Sequence, residues 1–331
     1  MDEQYAFFAR VPEIIRDRII KHGLNPQKPV KQHFVPTSHQ ARFRGNGGAL
    51  WAYLFPLKRI VDAHPRRIGR IPGLYTLPDE NGNPDYQVEH FFAAIEDLSA
   101  PVIERLLNGD ELTEEDRFWL CYFLGISFCR SNDLIRSYQS LYAELHIRDL
   151  RGRYSSLEST RRELEKYPNP GEITAEELFD FVHSDEYDIV YENHTVVPDI
   201  LKLIPGICQL FWKSRLTIIH APEGKSFITG DSPVVLLKTL AREPMGFMRA
   251  IRVAPLSSDV CLISTPRISG IERNVANRDQ VRNVNLLVAS SAYEFILGRS
   301  DALISSLVRA TGVERRVWEP VFSVGQHLSQ K

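Results

Sequence analysis

The chain has 331 residues, of which 43% are hydrophobic and 25% charged, with four cysteines and a formal net charge of -2. That composition is ordinary for a globular protein and excludes a disordered chain, a collagen and a disulfide scaffold. At roughly 150 residues per domain as a soft guide, the length is read as a single large domain over 1–331, with sub-parts at 1–85, 86–212 and 213–331.

The neutral total hides an asymmetry. Residues 1–70 carry 13 Lys+Arg against 5 Asp+Glu, residues 71–120 carry 2 against 12, and the rest balances at 25 against 25. Two such segments either pack on each other, or the basic one forms a patch for a nucleic acid or a phosphate-bearing ligand. The longest near-apolar stretch, Leu203–Trp212, is broken by Pro205, Gly206 and Gln209 and falls short of the roughly 20 residues a membrane helix needs. With Asp2 and Glu3 where a secretory leader would be basic, the reading is a cytoplasmic protein with no membrane segment.

Along the chain, Pro12 and Gly23 frame a short helix with Val11, Ile14, Ile15 and Ile19 on one face. A proline-punctuated basic stretch follows and ends in Gln32-His33-Phe34-Val35-Pro36. Ala49–Phe55 reads as a strand, and 56–84 as loops and short extended pieces. Gln87–Asn108 has apolar residues at helical spacing, with Pro101 kinking or dividing it and Gly109 ending it. Thr113 and Asp116 cap a long central helix from Glu114 to about His146, apolar on nearly every side between Phe118 and Phe128. A charged surface helix with linkers fills 147–170, and Thr174 with Glu177 opens a helix to about His183. Pro198–Trp212 reads as a buried helix.

The pattern then changes to strands at Arg215–His220, Ser226–Thr229, Met248–Val253, Val260–Ser264 and Tyr293–Leu297, with Ala221–Gly224 as a hairpin turn. Helices are expected over Arg278–Ala289 and Asp301–Ala310. The fold class is therefore α+β: a mainly helical N-terminal part around a long buried helix, then a C-terminal antiparallel sheet flanked by helices. Cys121, Cys129, Cys208 and Cys261 form no Cys-x-x-Cys pair. They read as reduced, buried apolar residues, since Cys121 and Cys129 lie about 12 Å apart on one helix.

Several chemical motifs fail on spacing. Gly224-Lys225-Ser226 lacks the leading glycine of a phosphate-binding loop, and there is no metalloprotease pair or nucleophile elbow. Gly230-Asp231-Ser232 resembles the nucleophile block of one esterase family, but it stands two-thirds along the chain without a late Asp-x-x-His. Its bland counterpart is a strand end with turn hydrogen bonds. His33, in its extended basic segment, can be a base, a metal ligand or a hydrogen-bonded pin. Glu89 and Glu96, seven apart, share the edge of the apolar stripe of their helix. Arg130 follows the apolar run of the central helix, where a guanidinium needs a carboxylate or anionic ligand. Pairing of Arg130 with Glu96 is the simple account.

These residues also carry a resemblance. Gln32-His33-Phe34-Val35-Pro36, Leu50-Trp51-Ala52-Tyr53, Tyr75-Thr76, the Ile95-Glu96 helix, Leu112–Arg117, Arg130, Phe227–Val234 and Pro255-Leu256-Ser257 occur in this order. Over about residues 31 to 298 the chain resembles the family called domain of unknown function 4238. The resemblance implies that His33, Glu96, Arg130, Asp231 and Asn285 matter. Where the family pattern has Ser-Asp-Asn-Pro-Val, this chain has Gly230-Asp231-Ser232-Pro233-Val234, so the aspartate belongs to the motif and the serine does not. Thr37–Arg42 departs from the family by lacking its usual aromatic and leucine.

Two functions follow as expectations. The first is a hydrolase of a phosphodiester or phosphate ester, with catalytic His33, Asp231, Glu96 and Arg130. There Asp231, Glu96 and His33 would ligate a divalent metal such as Mg or Mn. The alternative is a non-catalytic nucleic-acid- or protein-binding module whose same residues form a structural polar network.

Overall fold

A computed structural model describes residues 13–18, 32–166, 173–237, 248–266, 269–312, 318 and 320. Of the first expected helix, 13–18 is helical, while Pro12, Ile19 and Gly23 lie outside the described residues, as does 25–31. The chain falls into two compact units: Met1–Asp133 with Pro198–Trp318, and Leu134–Val197 with Glu319–Lys331.

Helix starts follow side-chain caps. Thr113, Ser156, Thr174 and Asn277 each accept the backbone N–H three residues on, and the residue there reaches back to the cap, closing a reciprocal box. These open the helices Glu114–Cys129, Leu157–Leu164, Ala175–His183 and Arg278–Ser291.

In the first unit, Gln87–Asn108 is one helix. Pro101 does not end it, because Pro101, which has no N–H to give the preceding turn, lies on the solvent side. Gly109 closes it at φ 89°, a left-handed position suited to glycine. Phe118–Cys129 of the next helix is buried throughout.

The expected continuation to His146 is corrected: the helix stops at Cys129 and a second, Asn132–Arg153, begins after a break. The cause is local. The Tyr75 hydroxyl donates to the Arg130 carbonyl, and the Ser131 hydroxyl donates to the Phe128 carbonyl at 2.9 Å. Side chains thus take the acceptors that a continuing helix would use.

The apolar helix Asn193–Trp212 belongs to the first unit from Pro198 onward. By length and composition it could cross a bilayer, yet Ile200, Ile204, Cys208 and Phe211 are buried in the protein. Gly125 permits its close approach, since a Cβ there would lie 2.4 Å from Cys208 Sγ. All four cysteines are free and buried, as expected.

The strands are β1 (Gln32–His33), β2 (Trp51–Leu54), β3 (Arg59–Asp62), β4 (Arg70–Ile71), β5 (Leu77–Pro78), β6 (Pro84–Asp85), β7 (Arg215–His220), β8 (Thr229–Gly230), β9 (Val235–Leu237), β10 (Ile251–Pro255), β11 (Val260–Thr265), β12 (Gly270–Val275) and β13 (Phe295–Gly298). The fold is α+β, and its sheets are mainly antiparallel. One has the order β12-β7-β11-β10-β9, antiparallel except for the parallel pair β12–β7. A second has the order β3-β2-β13-β8 and so joins residues 51–62 to the C-terminal strands, and β1–β4 and β5–β6 form two-stranded ladders.

The Ala221–Gly224 hairpin is a second correction. Strand β7 pairs with β11 and β12, while the next strand, β8, joins the second sheet. The intervening chain is drawn away because Asn285 accepts the Ile228 N–H at 3.0 Å and donates to the Ser226 carbonyl at 2.8 Å.

The second unit is helical in its described part. Arg151 donates to the Val182 and Ser184 carbonyls at the end of Ala175–His183, and Gln139 donates to Tyr191 and Asn193. The Arg151 bonds satisfy carbonyls that the end of Ala175–His183 leaves open.

Candidate functional site

The N-terminal motif is fixed by a two-residue ladder in which His33 stands opposite Arg70, and Gln32 opposite Ile71. Directly opposed residues project from the same face of an antiparallel pair, which places the His33 ring and the Arg70 guanidinium side by side. Gln32 locks the ladder onto the following turn: its amide donates to Thr76 Oγ1 at 3.1 Å, and its oxygen accepts the Tyr75 N–H.

Beneath the ladder lies Arg130, 1% exposed, at the end of the central helix. Its guanidinium donates to Glu96 Oε1 and to the His33 carbonyl, with the Phe92 ring centroid 4.8 Å and the Tyr75 centroid 5.9 Å from Cζ. The expected Arg130–Glu96 pair is therefore present. Burial works against the charge of Arg130, but Glu96, Tyr75 and Glu89 hold it protonated.

Glu89, one heptad before Glu96 with Phe92 between them, faces the same cation. Burial pushes its carboxyl up to about 6; Arg130 opposes that shift and Glu96 adds to it. Its Oε2 is buried with no hydrogen-bond partner. His33 Nε2 is likewise buried without a partner. Burial, then Arg130 and Arg70, hold the imidazole below its ordinary range, and a bond to the Arg66 backbone offsets part of this. His33, Glu89, Glu96 and Arg70 are each partly exposed, so this cluster reaches the surface above the buried Arg130.

Asp231 belongs to a separate cluster. Its Oδ2 accepts the N–H groups of Tyr293 (2.8 Å) and Glu294, and its own N–H donates to the Phe295 carbonyl at 3.1 Å. The aspartate thus pins the start of β13. Burial pushes the carboxyl up to about 7; the two amides oppose this, while Glu294 and Asp133 reinforce it. Asp231 Oδ1 and Ser232 Oγ are buried and unpartnered. Asp133 in turn accepts Trp318 Nε1–H at 2.8 Å, and Glu294 accepts from the Asn132 amide.

Arg130 thus joins Glu96 to the His33 backbone, and no hydrogen bond or ion pair links Asp231 to any of the three. The expected metal trio of Asp231, Glu96 and His33 is not brought together. Among the described residues no group of three His, Cys, Asp or Glu could hold a metal ion. The reason is one of placement: Arg130 gathers Glu96 and the His33 backbone at the end of the central helix, while Asp231 is spent on the amides at the start of β13.

A family model described as Protein of unknown function (DUF4238) matches residues 31–302, a span that contains both clusters. The chain belongs to this family. No curated protein and no solved structure matches it. In this DUF4238 member, the residues carrying the resemblance meet mainly as buried polar pins. Arg130 holds the first motif, Asp231 holds β13, and Asn285 holds the approach to β8. Sequence reasoning missed Arg70, because a two-residue strand has no periodicity; the Arg66-Arg67-x-x-Arg70 spacing was its only trace.

Proposed function

We propose that the protein is a hydrolase of a phosphate ester or phosphodiester, with its acid–base chemistry at Glu89 and His33. The observation that carries this reading is the pair of buried, unpartnered atoms, Glu89 Oε2 and His33 Nε2, set in the field of one buried arginine. Buried polar atoms are normally hydrogen-bonded, and groups shifted in this way by burial and a charge partner mark functional sites.

In this mechanism neutral His33 takes a proton from the attacking water. Glu89, in its protonated form, gives one to the leaving oxygen, and Arg70 holds the non-bridging oxygens. Arg130 and Glu96 are positioning residues. The basic character of residues 1–70 supports a phosphate-bearing substrate. Among the described residues no three candidate ligands meet, so no step is routed through a divalent ion. Asp231, expected as catalytic, is read here as a structural pin.

The test uses chromogenic phosphomonoester and phosphodiester substrates with the purified chain, with added Mg²⁺ or Mn²⁺ and with a chelator. Activity that falls at least a hundredfold in both Glu89→Gln and His33→Asn, with melting unchanged, supports the reading. No turnover of either substrate class by the wild type, or full activity in both variants, would move the assignment to a binding module with a structural network.

A further inference from the structure

The second unit carries a surface of unusual composition. Residues 173–195 contain seven Asp and Glu and no Lys or Arg. Arg161 pairs with Glu176, and Arg151 with Asp185 at 3.3 Å. Asp180, Glu186, Asp188 and Glu192 are exposed and have no ion pair among the described residues. Within this acidic stretch Phe181 is 48% exposed and stacks on Tyr187 with ring centroids 4.8 Å apart, and Val190 is 82% exposed.

The first unit carries the counterpart. Around the turn between β2 and β3 and the segment after it, Lys58, Arg59, Arg66 and Arg67 are exposed, without an ion pair among the described residues. Leu57 beside them is 54% exposed, and Asp62 is the one acid in the stretch. Strand β3 is an edge strand, so this surface stands clear of its own sheet.

We propose that the two surfaces bind each other between copies of this chain, the basic turn of one copy docking on the acidic aromatic face of a second. Charge complementarity selects the partner and sets the register, while Phe181, Val190 and Leu57 supply the apolar contact that exposed ion pairs alone do not. A second copy fits better than a nucleic acid. The acidic face repels a polyanion, and a net charge of -2 leaves little repulsion between whole molecules. Because the surfaces differ, the contact is heterologous unless two copies make it reciprocally.

Sedimentation velocity on the full chain, over a concentration series at low and high salt, tests this. The wild type associates at low salt and dissociates at high salt. Arg66→Glu with Arg67→Glu loses association, as does Glu186→Arg with Asp188→Arg. An equimolar mixture of the two variants regains it, because each supplies the surface that the other lacks. Circular dichroism melts check folding, and Arg66→Gln with Arg67→Gln serves if the reversal unfolds. A wild type that stays monomeric at low salt overturns the proposal, as does association indifferent to both reversals. So does a monomer that binds a single-stranded oligonucleotide through Arg66 and Arg67.

Discussion

Arg130 and Asp231 are both buried, yet they call for opposite expectations. Arg130 is ionised and paired, so Arg130→Met leaves Glu96 and the His33 carbonyl without their donor. Since Glu96 is partly exposed, the expected loss is about 2–4 kcal/mol, below that of a fully buried pair; urea titration measures it. Asp231 has a folded pKa raised from 3.8 to about 7, so the native state favours its neutral form. Stability then falls as pH rises from about 4 to 7 and stays low above, a difference on the order of 4 kcal/mol. Asp231→Asn keeps an acceptor for the Tyr293 and Glu294 amides without the charge. It should match wild type near pH 4 and melt higher at pH 8. Asp231→Ala strands both amides and should melt lower at every pH. Asn melting below wild type at pH 8 would contradict this. For the proposed reaction, His33 must be neutral and Glu89 protonated. The pH–rate profile should be a bell with its alkaline limb near pH 6 and its acid limb below the ordinary imidazole range.

Between elements, the closest approach at a described glycine is Gly125 against Cys208. Gly125→Ala places a methyl 2.4 Å from the Cys208 sulfur and should cost about 1–3 kcal/mol. Adding Cys208→Ala should return part of that loss in a double-mutant cycle; simple additivity would show that the helices do not meet there. What the sequence made legible divides along the same line. Helices with a capping box and a regular stripe, such as Ala175–His183, are readable because the signal is local. The break after Cys129 was not readable, for its cause is the hydroxyl of Tyr75, more than fifty residues away. Strand Gly270–Val275 escaped because its side chains alternate poorly, and a parallel edge strand is held by β7 rather than by its own pattern. In the candidate site, the Arg130–Glu96 pair followed from burial of a charge. The separation of Asp231 from it did not, since sequence spacing says nothing of which loop a carboxylate caps.

Over the whole molecule, the four-stranded sheet closes late in sequence. Strand β13 is the shared neighbour of β2 and β8, and its entry is held by Asp231. A chain cut after residue 290 loses that neighbour and both amide partners of Asp231. It should give no cooperative thermal transition in calorimetry, and a sharp transition in that fragment would mean that the sheet does not depend on β13. The same pairing sets a schedule for biosynthesis. Strand β2 ends at Leu54 and β13 at Gly298. At about 5–20 residues per second, the ribosome needs roughly ten to fifty seconds to cover that interval. For that time the β2 edge of the nascent hairpin of Trp51–Leu54 and Arg59–Asp62, later covered by β13, stays open to whatever strand reaches it first. Translation speed, and the chaperones that meet the chain as it emerges, therefore bear on its yield as well as the stability of the finished protein does.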